Sequence, residues 1–258
     1  MSTIAYSVSD TATLTGRMLK HNIRSIDTVM TVLITPIMIL LAFVFVIGGA
    51  ISIPGVRYVD YIMPVILLMT IASGVAYTAF RVNNDVTSGM FARLRTMPIA
   101  RSSILGGHVV ASVVINAVSV ALVFAFGLLV GYRPHATMGG WMTTLGLLLL
   151  TLVAFTTVGV AFGLISASAE GSSMFSYLLL ALLFVSSGFA PTSTMSAGLG
   201  AFADHQPMTP LIDSLRTTQL GQSAGSAPWV AAAWLVVITV VFALLAHRAG
   251  GRPPKSAA

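Results

Sequence analysis

The sequence has 258 residues, 56% of them hydrophobic and only 8% charged, with a mean hydropathy of +0.94. An ordinary soluble domain is about 25% charged, so this chain cannot cover a water-facing surface, and lipid must be much of its solvent. The lack of cysteine excludes disulfides, thiolate metal sites and cysteine nucleophiles, and a net charge of +6 spread over 13 basic and 7 acidic residues speaks of membrane topology rather than nucleic acid.

In chain order, the first segment is amphipathic. Leu14, Met18, Ile23 and Ile26 recur at helical spacing between Asp10 and Asp27, with Arg17, Lys20, His21 and Arg24 among them. This predicts a helix over 10–27, lying in the headgroup layer or standing as an ordinary short cytoplasmic helix. Residues 1–28 are too polar, and the apolar run after them too long, for a cleaved signal peptide. A membrane helix needs about 20 apolar residues, and six runs qualify or nearly do. They are Val29–Ile53 with Pro36, Tyr61–Phe80 with Pro64, Ile104–Val130, Trp141–Ser166, the short Met174–Phe189, and Trp229–Ala246. None carries Asp, Glu, Lys or Arg in its apolar interior. The joints Gly48–Gly55 and Gly131–Gly140 read as short external turns, and Tyr58, Tyr61, Tyr132 and Trp141 beside them suit the membrane interface.

The charges sit in the joints. With six spans, Arg17, Lys20, Arg24, Arg81, Arg93, Arg95, Arg101, Arg248, Arg252 and Lys255 share one side, against Arg57, Arg133 and Arg216 on the other. The positive-inside rule then puts both termini in the cytoplasm of a multi-pass cell-membrane protein.

Two joints stand out. The one from Arg81 to Arg101 is predicted to form a short helix over Val86–Met97, capped by Asp85 and stopped by Pro98. Phe91, Leu94 and Met97 would make an apolar ridge flanked by Arg93 and Arg95. Such a ridge suits docking into a groove of another protein; the plainer reading is a solvated joint whose arginines only set topology. The joint from Ala190 to Pro228 is long and rich in apolar residues. It reads as chain dipping back into the membrane after a short fifth span, with Pro210 in the first turn of a helix ending near Arg216, or else as a loop packed on the helix tops.

Several chemistries lack their motifs. There is no GxxxxGK followed by Ser or Thr, so no phosphate loop for ATP. His21, His108, His135, His205 and His247 are scattered, and no metal site is expected. There is no GxSxG and no buried acid to couple ions or cleave bonds, which weighs against a stand-alone secondary transporter or an intramembrane enzyme; Glu170 reads as an interfacial loop residue. Gly127 with Gly131, and Gly159 with Gly163, make GxxxG pairs that let helices approach closely. Asn116 can line a pathway or bond a neighbouring helix, and Phe155, Phe175 and Phe184 can contact a greasy cargo or simply pack in the core or against lipid.

The stretch Asp85-Val-Thr-Ser-Gly89-Met-Phe91-Ala-Arg93-Leu94-Arg95-Thr-Met-Pro98-Ile-Ala-Arg101 resembles the signature of type-2 ABC exporter permeases. It looks most like the daunorubicin-resistance branch, with D-x-x-x-G before an R-F/L-R-x-M/L-P-I-x-R run. Ser187-Gly188-Phe-Ala-Pro191-Thr, followed by His205-Gln-Pro207-Met-Thr-Pro210-Leu-Ile-Asp-Ser-Leu-Arg216, is similar to the same branch's second signature. Met195-Ser196-Ala197 departs from it, where many members have Met-Pro. The resemblance covers nearly the whole chain as one transmembrane domain, 1–258. It implies an all-α fold with six transmembrane helices, an elbow helix at 10–27, an ATPase-coupling joint at 81–103 and an external re-entrant segment at 190–228. It implies a membrane subunit that performs no bond chemistry. A second permease chain, identical or homologous, and two copies of a separate ATPase chain holding Mg-ATP would complete the transporter. The cargo would be a hydrophobic or amphiphilic compound, drug or lipid; export of a polysaccharide or lipid-linked glycan is the alternative within the same fold.

Overall fold

The computed structural model describes residues 11–19, 30–49, 55–90, 96 and 101–250. Among the described residues the regular structure is all helix, with no strand. Helix α1 covers residues 11–19. Helix α2 is one helical run, Met30–Ile34, Thr35–Leu41 and Ala42–Ile47, whose outer pieces are wound as π-helix. Pro36 has no N–H to give the ladder, and beside it Thr35 lends its hydroxyl to the Met30 carbonyl at 3.2 Å. Then follow α3 (Tyr58–Thr87), α4 (Arg101–Leu129), α5 (Met138–Ile165), α6 (Ala169–Phe184), a 3-10 turn at Thr192–Thr194, α7 (Ala197–His205), α8 (Met208–Gln219) and α9 (Ala227–Gly250).

Helices α3, α4, α5 and α9 are long and apolar enough to cross a membrane, while α2 and α6 are apolar but shorter. At 1.5 Å rise per residue, a 16-residue helix such as α6 reaches about 24 Å, short of a hydrocarbon core of about 30 Å. Where the sequence predicts six spans, the described residues hold four full-length helices and two shorter ones; residues 50–53, at the end of the first predicted span, lie outside the described residues.

Helix α3 is the axis of the bundle. Its span is 83% buried within the chain, against 17% for α9, because α2, α4, α5 and α6 all pack around it. Ile62, Met63, Ile66, Leu67, Ile71, Val75 and Ala79 carry that core. The approach of α5 to α3 depends on two glycines. A Cβ at Gly163 would lie 2.7 Å from both the Ala79 carbonyl oxygen and Val82 Cβ, and one at Gly159 would lie 2.8 Å from Val75 Cγ1. The other GxxxG pair divides its tasks: Gly127 makes room for the Met63 thioether, whereas Gly131, at φ +108°, opens the turn towards α5. Near the same contact Asn83 of α3 donates its amide to the carbonyls of Gly163 (3.1 Å) and Ser166 (2.8 Å), satisfying the C-terminal end of α5. Outward, Val110, Val114, Val118 and Leu122 of α4 and Val237, Val241 and Leu244 of α9 form exposed apolar stripes at helical spacing, as a lipid-facing surface requires.

Two predicted elements are shifted. The fifth apolar helix runs over Ala169–Phe184 rather than Met174–Phe189, because the Ser168 hydroxyl caps it by accepting from the Gly171 N–H at 3.0 Å. Asp85 does not cap a new helix at Val86: α3 runs on through it to Thr87. That end is closed by Ser88 N–H to the Asn84 carbonyl (2.9 Å), and Gly89 turns away at φ +75°, where a side chain would be strained.

Candidate functional site

The polar chemistry gathers at the two ends of the bundle. At one end, α8 returns over the helix tops and is bonded to α3, to the turn between α4 and α5, to α5 and to the chain after α6. Arg216 is its centre, with a side chain 11% exposed. Its guanidinium lies over the Tyr61 ring, 3.6 Å from the centroid, and donates to the carbonyls of Tyr61 (3.2 Å), Ser187 (2.9 Å) and Gly188 (3.1 Å) and to Asp213 (3.2 Å). Burial pulls the Arg216 pKa down, and Tyr61 and Asp213 oppose that pull, so the cation is held by a matched set of acceptors. Tyr61 donates its hydroxyl to the Ser187 carbonyl at 2.8 Å, and Ser187 donates its own to Asp213 at 2.6 Å. The chain leaving α6 is thereby pinned between α3 and α8, 155 residues separating Tyr61 from Arg216.

The rest of α8 is equally tied. Gln219 accepts the buried Tyr132 hydroxyl at 2.7 Å, and its carbonyl takes the His135 N–H at 2.8 Å. Burial, then the nearby Asp60 carboxylate, holds the Tyr132 phenol above its usual pKa, so it stays a donor. Thr218 and Thr144 share a hydroxyl bond at 2.9 Å, and Gln206 donates to the Leu182 carbonyl at 3.1 Å. Asp60, in the first turn of α3, accepts from Arg57 at 2.7 and 3.0 Å and from the Arg133 N–H at 3.1 Å. A carboxylate at a helix N-terminus is favourably placed, and here it also holds the α4–α5 turn.

Of the residues singled out at this end, Gly188 has no space for a Cβ, which would lie 2.6 Å from Val65 Cγ2. Pro191 precedes the 3-10 turn, Pro207 precedes α8, and Pro210 lies in its first turn.

At the opposite end, α1 packs across α4, with Leu14 Cβ 3.1 Å from where a Cβ on Gly107 would stand. Leu14 joins Val86, Met90, Leu105 and Leu164 in a small apolar cluster. Asp85 lies 3.5 Å from His108 Nε2, and Arg81 donates to the Tyr77 hydroxyl at 2.9 Å. Phe91, Arg93, Leu94, Arg95 and Pro98 lie outside the described residues, as does the side chain of Arg101. Asn116 sits deeper, 1% exposed, and donates to the Ser112 carbonyl of its own helix at 2.9 Å. Its Oδ1 is buried without a partner and is pressed against Gly74 of α3, beside a cavity of about 30 Å³ that runs past Ser112 to His108 and Asp85.

The three aromatics are dispersed. Phe155 is 2% exposed in the core, Phe175 stacks on Phe162 at 4.9 Å, and Phe184 stacks on Phe189 at 4.6 Å while remaining half exposed. Tyr61, Tyr132, Asp213, Gln219, Asn83 and His108 were not singled out for these roles by sequence. Asn83 and Gln219, amides buried at helix ends, carried the strongest available signal.

Among the described residues these helices and polar ends define a membrane-embedded, all-helical protein whose α8 is hydrogen-bonded across one end of the bundle. Residues 9–220 match the family described as ABC-2 type transporter, and the chain belongs to that family. It is 28% identical over 184 residues to the daunorubicin resistance ABC transporter permease protein DrrB1 of Streptomyces coeruleorubidus, covering 69% of this chain. That match spans 63% of the Streptomyces protein, less than two thirds of its length. It is 23% identical over 241 residues, 92% of this chain and 86% of the relative, to the probable doxorubicin resistance ABC transporter permease protein DrrC of Mycobacterium tuberculosis, in both strains CDC 1551 / Oshkosh and H37Rv. The similarity falls in the daunorubicin-resistance branch of permeases, which are transport components rather than catalysts.

Proposed function

We propose that this chain is the transmembrane subunit of an ATP-driven exporter that moves a hydrophobic or amphiphilic compound, drug or lipid, out across the cytoplasmic membrane. The observation that carries the reading is the family match over 9–220, with resistance permeases among the relatives. In this reading α2 and α6 complete six spans, both termini are cytoplasmic, and α1 belongs to an elbow helix over 10–27. The α1 end then faces the cytoplasm, and 190–228 forms the external re-entrant segment. Energy comes from two copies of a separate ATPase chain binding Mg-ATP, since the sequence has no phosphate loop of its own. A second permease chain covers the exposed apolar faces of α2 (Met38, Phe45, Val46) and α6 (Met174, Tyr177, Leu178, Phe184), and the cargo passes between the two copies.

Coupling uses the joint 81–103. Phe91, Leu94 and their flanking arginines dock on the ATPase, Gly89 turns the joint away from α3, and Asp85 lies in the last turn of that helix. ATP-driven closure of the ATPase pair switches the membrane halves between inward- and outward-facing states, provided the ATPase binds those states with different affinities. The Arg216 network keeps the external segment closed over the path until that switch.

Two experiments test this reading. The permease copurifies with a separate ATPase, and Arg93→Glu with Leu94→Glu lowers recovery of that complex by about tenfold or more, since it puts charge into an apolar docking ridge. Undiminished recovery, together with undiminished ATPase stimulation, would sink the coupling assignment; ion-driven transport by the permease alone would sink the class. In intact cells, a cysteine placed at Thr192 is labelled by an impermeant maleimide and one at Ser88 is not. The opposite pattern would invert the topology.

A further inference from the structure

We propose that the pocket between α1 and α3 binds the phosphate of an anionic phospholipid headgroup. The pocket has a volume of about 160 Å³ and is walled by Arg17 and Met18 of α1, by Tyr77, Phe80, Arg81, Asn84 and Asp85 of α3, and by Met90. That is roughly ten times the 10–15 Å³ that holds one water, enough for a tetrahedral oxyanion.

Its donors are underused. Arg81 gives one Nη2 bond to the Tyr77 hydroxyl, and its guanidinium carbon stands 5.0 Å from that ring centroid, but its Nε is buried with no partner. A buried donor without an acceptor is costly and rare in a finished structure. Arg17 is exposed, and its hydrogen bond is a weak one to the Met90 thioether at 3.5 Å. Among the described residues no carboxylate lies within 4.0 Å of either guanidinium. Among the described residues that line the pocket, Arg17 and Arg81 are the two fixed cations and Asp85, 3.5 Å from His108 Nε2, is the one carboxylate, a balance that favours an anion.

Two guanidiniums with free N–H groups match the oxygens of a phosphate, which they can grip in pairs. The pocket lies at the end of the apolar α3 span, the depth at which headgroups sit. Phe80, 39% exposed, and the two methionines supply an apolar wall for the glycerol and the start of the acyl chains. Free phosphate shares the oxyanion chemistry but has no use for that wall.

The test uses the full-length permease in mild detergent, offered phosphatidylglycerol and diacylglycerol in equal amounts, with retained lipid read by native mass spectrometry. Phosphatidylglycerol is expected to be kept about tenfold over diacylglycerol, and Arg17→Gln with Arg81→Gln to remove that preference. Arg17→Gln alone, on an exposed position of α1, reduces the preference without touching the buried core and covers the case in which the double variant does not fold. Asp85→Asn is expected to strengthen retention. Millimolar inorganic phosphate that displaces the lipid means the pocket reads the oxyanion alone; phosphate that does not means the headgroup binds together with its tails, and both outcomes support the site. Equal retention of the two lipids, or a preference untouched by Arg17→Gln and by the double variant, overturns it. So does weaker retention in Asp85→Asn with the arginine variants neutral, which would make the pocket a cation site. The readout needs no ATPase, so it stands or falls apart from the transport reading.

Discussion

Arg216→Met is expected to destabilise the permease by about 3 kcal/mol and to loosen the segment after α6 from the helix tops. The substitution keeps most of the aliphatic bulk and removes only the guanidinium. The Gly188 carbonyl then loses the donor it has at 3.1 Å, and Asp213 loses its cation. The Tyr61 ring also loses the cation lying 3.6 Å from its centroid. Breaking a buried pair from one side costs about 3–5 kcal/mol, and the lower end applies because the Asp213 side chain is 40% exposed and can recover water. Arg216→Lys should recover less than half of the loss, since a single ammonium cannot reach the separated carbonyls that the planar fork reaches. Thermal unfolding in detergent measures the stability, and limited proteolysis between Pro191 and Pro207 measures the loosening. A melting curve and a cleavage pattern both equal to the unsubstituted protein would remove Arg216 from its place as the fastener of this end.

Hydropathy placed most of the helices because lipid solvation leaves a one-dimensional trace: the apolar runs of α3 and α9 lie inside the observed helices, and those of α4 and α5 overrun theirs by a single residue. Their ends were less legible. In α3 the helix continues past the predicted end at Phe80 to Thr87, with Asn83 inside it giving its amide to the end of α5. In α6 the cap lies at Ser168, and Ser172, Ser173 and Ser176 continue as helix despite their polarity, with Ser172 and Ser176 buried. A hydropathy window moved the start to Met174 because it weighs polarity and ignores which face a serine occupies. The local signal was present, a serine three residues ahead of the Gly171 N–H that it caps.

The polar ends were legible as residue types but not as partnerships. Arg216 was legible as the end of a short helix in the external joint, yet nothing in the chain assigns it to Tyr61 or to the carbonyls of Ser187 and Gly188. The Tyr132–Gln219 bond spans 87 residues and Thr144–Thr218 spans 74. Such pairs are set by how α8 folds back on the bundle, and periodicity within one element carries no information about them. Asp60 shows the opposite case. Its bond to Arg57 is three residues long and readable, whereas its hold on the Arg133 N–H appears only in three dimensions.

The glycines of α5 give the sharpest contrast between a readable motif and its energetic weight. Gly163→Leu is expected to prevent the native packing of α3 on α5, with loss of folded protein from the membrane fraction. Even Gly163→Ala should cost about 1–3 kcal/mol, because its Cβ would sit 2.7 Å from the Ala79 carbonyl oxygen and 2.7 Å from Val82 Cβ. The first of these is backbone inside a helix that is the axis of the bundle and cannot move aside without disturbing α2, α4 and α6. Separating the two helices would also stretch the Asn83 bonds to Gly163 and Ser166, leaving carbonyls at the end of α5 without a donor in an apolar setting. Gly146, seventeen residues earlier on the same helix by sequence number, is the control: nothing lies within 4 Å of its added Cβ. Gly146→Ala should therefore be neutral or stabilising by about 0.4–1 kcal/mol, through the reduced freedom of the unfolded chain. The pair separates the steric demand of the contact from the general effect of alanine on helix stability. Equal melting temperatures for Gly163→Ala and Gly146→Ala would mean that α3 and α5 are not held as close as the Ala79 carbonyl requires.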